Sequence, residues 1–171
     1  MFNAEKRKEL AMLLQEHFGI NMLFHKETGY PTRYAAKAFR KLVKAMLVLD
    51  ELVEGIAPDR EQVFSLLAEC FDRQPQIFIE RAKKDHKTLS LEELITFLYG
   101  IKKPFLKKAK IVGCRHNDPY DPVYEYFTKA GSAAYKKLTD LVYGLEELLG
   151  EDVIESHEIV DALDSIVKDE L

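Results

Sequence analysis

Along residues 1–100 the apolar positions recur every three or four residues, the period that lines one face of an α-helix. Nowhere do they alternate with polar ones over the length of a strand. The first run puts Leu10, Leu13, Leu14 and Phe18 on one stripe, with Asn3 as cap and Gly19 as stop. After a connector, Thr32 caps a longer helix predicted to reach Gly55, its buried face being Ala35, Phe39, Leu42, Val43, Met46, Leu49 and Val53. In "APDREQ", Asp59 and Gln62 have capping-box spacing. The third helix that follows should bury Val63, Phe64, Leu67, Cys70 and Phe71. It should end near Arg73, because Pro75 disfavours helix at the residue before it.

"PQIFIERAKKDH" predicts a short fourth helix. Ser90 and Glu93 form a second capping box, opening a fifth helix with Leu94, Ile95, Phe97 and Leu98 that stops at Gly100. Beyond the loop "GCRHNDPYDP", a long helix is predicted from about Pro122 to Leu149, interrupted or bent near Gly131. A last amphipathic helix from Asp152 turns Val153, Ile159, Val160, Leu163 and Val167 inward. The expectation is a single all-α domain over residues 1–171, a bundle of six to eight helices with helices two and three as a central hairpin. A chain of 171 residues, 47% hydrophobic, is long enough for one sizeable core.

Charge divides the chain. Residues 1–117 carry 21 Lys/Arg against 15 Asp/Glu, a balance of +6, whereas residues 118–171 carry 4 against 14, a balance of −10. Between Glu93 and Asp118 there is no acid, and "IKKPFLKKAKIVGCRHN" forms a positive strip suited to phosphate, nucleic acid or an acidic surface of the same or another subunit. No run approaches eighteen apolar residues, and "MFNAEKRKEL" lacks the apolar core of a secretory signal, so no membrane association and a cytoplasmic location are expected. On that reading the terminal "KDEL" is the polar end of a helix rather than a retention address. Cys70 and Cys114 have no partner at metal-site spacing and are expected as reduced thiols.

The stretch "DELVEGIAPDREQVFSLLAECFD" holds the candidate chemistry. On a helix, residues three apart share a face, which pairs Glu51 with Glu54 and Glu69 with Asp72. If the two helices pack antiparallel through "GIAPD", four carboxylates converge, and oxygen-only ligation of that kind suits Mg²⁺ or Mn²⁺. Glu-x-x-Glu followed after fourteen residues by Glu-x-x-Asp resembles the metal motif of the MazG-like and phosphoribosyl-ATP pyrophosphohydrolase-like all-α nucleotide pyrophosphohydrolases. "FHKETGYP" (Phe24, His25, Gly29, Pro31) resembles a phrase found before that motif. The likeness spans about residues 20–100. It departs from the family at Asp50, where the group has Glu, and at Pro75, which follows soon after Asp72.

The resemblance implies that Glu51, Glu54, Glu69 and Asp72 bind Mg²⁺, which activates a water to split a nucleoside triphosphate into monophosphate and pyrophosphate. Lys102, Lys103 and Lys107 would then contact phosphate. The same four acids also read as solvated helix faces. The alternative expectation is thus a non-catalytic helical protein-interaction or regulatory module, docking through charged surfaces to a protein partner or another copy.

Other groupings change this picture little. Arg81 and His86 in "RAKKDH" have the spacing of the nuclease motif of HEPN domains, but lysines and His in a last turn also simply complement the helix dipole. Arg115, His116, Asn117, Asp118 and Asp121 gather on a loop that is equally a turn signal. Phe105 among lysines is a single aromatic where base-stacking surfaces use several.

Overall fold

A computed structural model of the chain describes residues 4–19, 25, 27, 32–56, 58–71, 75–100 and 129–170. Among these residues seven helices follow in order: α1 (Ala4–Phe18), α2 (Arg33–Leu52), α3 (Arg60–Phe71), α4 (Pro75–Lys84), α5 (Leu91–Tyr99), α6 (Lys129–Leu149) and α7 (Ser156–Glu170). No strand occurs among the described residues. The fold is the expected all-α bundle.

Helix α2 is its axis, packed against α3, α4 and α5. The run from Ala45 to Leu49 is buried without a break. A helix apolar on every side is one enclosed by neighbours. Each Leu, Val or Phe withdrawn from water there contributes about 1.5–3 kcal/mol. Helix α3 lies against α1, α2 and α4, burying Val63, Phe64 and Leu67, so the α2–α3 hairpin does sit centrally. The other side of the bundle is built by α1 on α6, α6 on α7 and α5 on α6. One cluster joins Leu10 and Leu14 of α1 to Leu42 of α2, Leu94 of α5, Leu138 of α6 and Leu163 of α7.

Local signals set the ends. The Ser90 hydroxyl accepts from the Glu93 N–H at 3.2 Å, and Gly100, left-handed at φ +67°, closes α5 by donating to the Thr96 carbonyl at 2.9 Å. At α3 the cap is Asp59 as expected, but its carboxylate takes the Glu61 N–H at 3.0 Å, one residue short of the capping-box position. Helix α2 ends at Leu52 rather than Gly55, because residues 53–56 form a turn in which Gly55 takes φ +84°. Helix α7 starts at Ser156, four residues later than predicted. There Glu146 reaches over from α6, accepting the Ser156 N–H at 2.7 Å and its hydroxyl as well.

Within α5, Leu94, Ile95 and Leu98 are buried while Phe97 stands 41% exposed. Gly131 lies inside the helical span of α6. The stretch 122–128, with the predicted start of that helix, and the side chains of Cys70 and Phe71 fall outside the description.

Candidate functional site

Among the described residues, Glu51, Glu54 and Glu69 do not gather into a metal-binding group. Glu51, in the last turn of α2, is held by His86 from the turn after α4, Nε2 to Oε1 at 2.5 Å. Glu54 stands exposed in the turn after α2. The helix stops two residues earlier, so three-residue spacing no longer keeps it on Glu51's face. On α3 the buried positions 63, 64 and 67 define the inner stripe. Glu69 falls about 200° round the helix from Leu67 and is exposed. Asp72 lies outside the described residues, as do Lys102, Lys103, Lys107 and the loop 113–122. Among the described residues no three His, Cys, Asp or Glu side chains gather in a way that could hold a metal ion.

What the hairpin carries instead is a lattice of ion pairs tying three helices. Arg60 of α3 reaches Asp50 of α2 at 3.2 Å, and Lys83 of α4 reaches Glu61 of α3 at 2.5 Å. The same Lys83 ammonium sits 5.6 Å from the centre of the Phe64 ring. Each exposed pair contributes at most about 1 kcal/mol. Together they place Arg60 beside Asp50 and Lys83 beside Glu61, with the His86 imidazole on Glu51. Arg81 stays exposed on α4, and the His86 ring is turned inward onto Glu51, with Nδ1 buried.

A second polar group, unannounced by the sequence, sits where α1, α5 and α6 meet. His17 is 6% exposed, and burial pulls its pKa below the ordinary imidazole value against the opposing pull of Glu16 and Asp140. Tyr99 stacks on Phe18 with ring centres 6.2 Å apart, and burial, with Asp140 adding to it, drives its phenol well above the usual range. Lys41 lies 5.3 Å over the Phe18 ring and donates to the Leu98 carbonyl at 3.4 Å, while Lys137 lies 5.9 Å from the Tyr99 ring. His17 Nδ1 and the Tyr99 hydroxyl are both buried with no hydrogen-bond partner among the described residues. These contacts bind the end of α5 to α1 and α6. Both orphaned atoms are buried, and no hydrogen-bonding group among the described residues reaches them.

Among the described residues the surface offers shallow grooves at two helix seams. Between α2 and α5, about 430 Å³ is lined by Leu89, Thr96 and Phe97, with Lys44 on one rim and Glu92 and Glu93 on the other. Lys44 covers the exposed Phe97 ring at 5.1 Å, so this groove supplies its own cation. Between α1 and α6 lies a groove of about 240 Å³. Its floor is Leu13, Gly144 and Leu148, its rim is Glu9, Glu16 and Glu147, and Met12 stands at its edge 62% exposed.

At Gly144 the Leu13 side chain of α1 occupies the space beside the α6 backbone. A Cβ there would lie 2.4 Å from the Leu13 Cδ1. Comparison with known protein families, with curated protein sequences and with solved structures finds no match.

Proposed function

We propose that this protein is a non-catalytic helical docking module that holds a partner polypeptide on the face shared by α1 and α6. The observation that carries this reading is the groove itself. Met12 is a long, adaptable apolar side chain left 62% exposed beside an apolar floor, inside a ring of carboxylates. Methionine at a surface groove fits irregular partner side chains, and an apolar patch framed by charge is the usual form of an interaction site. A metal-dependent hydrolase, by contrast, would need Glu51 to exchange His86 for an ion and Glu54 and Glu69 to swing onto one side of the hairpin.

A photo-crosslinking amino acid in place of Met12, compared with one in place of Ile77 on α4, tests the reading. Ile77 is 47% exposed, on a helix that packs against α2 and α3. Docking on α1–α6 gives a discrete protein adduct from position 12 and none from position 77. Mg²⁺-dependent release of pyrophosphate from nucleoside triphosphates, abolished by Glu69→Gln, would establish the hydrolase instead.

A further inference from the structure

The charge and spacing of the α1–α6 groove select a class of partner, and we infer that it is a basic amphipathic α-helix. This deepens the docking reading above and rests on it. The two walls run antiparallel. Leu13 meets Gly144, while His17, four residues further along α1, lies beside Lys137, seven residues back along α6. Two helices packed side by side leave a furrow along their seam, and a third helix is the element whose ridge of side chains fits it.

The rim then sets the partner's charge. Glu9 and Glu16 are seven residues apart, about 10.5 Å along the α1 axis, with the Leu13 floor between them. Glu147 faces them from α6. Lys6 meets Glu9 at 3.2 Å from its own helix, and among the described residues no lysine or arginine lines the groove. A helix with two basic residues a heptad apart, flanking a Leu or Met at the third or fourth position, meets the rim with its charges and the floor with its apolar side chain.

An acidic or neutral amphipathic helix would leave the carboxylates facing apolar or like-charged groups and lose affinity. The α2–α5 groove makes no such selection, because Lys44 opposes Glu92 and Glu93 across it. A second copy of the chain is a distinct occupant, and sedimentation separates it.

The experiment uses a fluorescent synthetic helix of leucine and lysine, fourteen residues long with basic residues a heptad apart, and a twin with glutamate in place of lysine. Anisotropy titration of the full chain at 0.15 M salt is expected to give saturable one-to-one binding of the basic peptide and at least tenfold weaker binding of the acidic twin. Glu16→Gln with Glu147→Gln should weaken the basic peptide about tenfold. Met12→Ser, which leaves every rim charge in place, should weaken it several-fold and so separate docking from charge attraction.

Equal or tighter binding of the acidic twin would overturn the choice of partner while leaving a docking surface standing. Binding of the basic peptide that ignores all three substitutions would place it elsewhere on the acidic surface and overturn the inference. Absence of binding by either peptide would remove the docking reading too. Sedimentation showing a dimer that Met12→Ser dissolves would assign the groove to a second copy and overturn the inference as well.

Discussion

At the scale of single residues, two histidines determine how the described charges behave. His86 holds Glu51, the acid that the sequence offered first as a metal ligand, through a hydrogen bond. His86→Ala is expected to cost about 1 kcal/mol, as loss of one half-exposed ion pair does. Read as a melting temperature in a chain of this size, that is a fall of roughly 2–4 °C. Millimolar Mg²⁺ should leave the melting temperature of the unaltered protein unchanged, since an ion bound only by the folded state would raise it. A rise that Glu69→Gln abolishes would show that the carboxylates do converge on a cation.

His17 behaves differently because burial disfavours its charged form. Its folded pKa lies below the unfolded value of about 6.5, so below that pH the unfolded chain binds the extra proton. Stability should therefore decline as pH falls through about 6.5, until the folded pKa is passed. Urea unfolding between pH 5 and 8 checks this, and His17→Gln should flatten that part of the profile.

At the scale of elements, what could be read from the sequence was local. Ser90, Glu93 and Gly100 delimit α5 because cap and stop act within one turn of the helix they bound. Ser90→Ala is accordingly expected to destabilise by about 1 kcal/mol, measured by urea unfolding. The apolar stripes of α1, α2 and α3 were legible for the same reason. The end of α2 was not, since Gly55 stops the chain only after a turn has already consumed residues 53–56.

That shift of three residues breaks the shared face of Glu51 and Glu54, on which the metal motif depended. Nor could the pattern show that His86, 35 residues downstream, would hold Glu51. Phe97 fits the apolar period of α5, yet it lies on the helix flank under Lys44, as a stripe gives the centre of a buried face more reliably than its edges.

At the scale of the molecule, the groove assigned to function arises from two helices more than a hundred residues apart in sequence. Gly144 reads in the sequence only as a weak spot in a long helix, costing about 1 kcal/mol in propensity relative to Ala. Its role as the gap that admits Leu13 exists only once α1 lies on α6. The fold thus turns an ordinary acidic helix face into a seam with a floor and a charged rim. The division of charge between the two parts of the chain was visible from the start, but α6 itself carries three Lys against three Asp/Glu, and two of the three groove glutamates come from α1.

The most direct test of the docking account is amide hydrogen exchange on the full chain with and without the basic leucine–lysine peptide. Slowed exchange confined to residues 9–16 and 143–148, and reduced in Met12→Ser at the same peptide concentration, is the predicted result. Slowed exchange centred on residues 50–71, or none anywhere in the bundle, would contradict it.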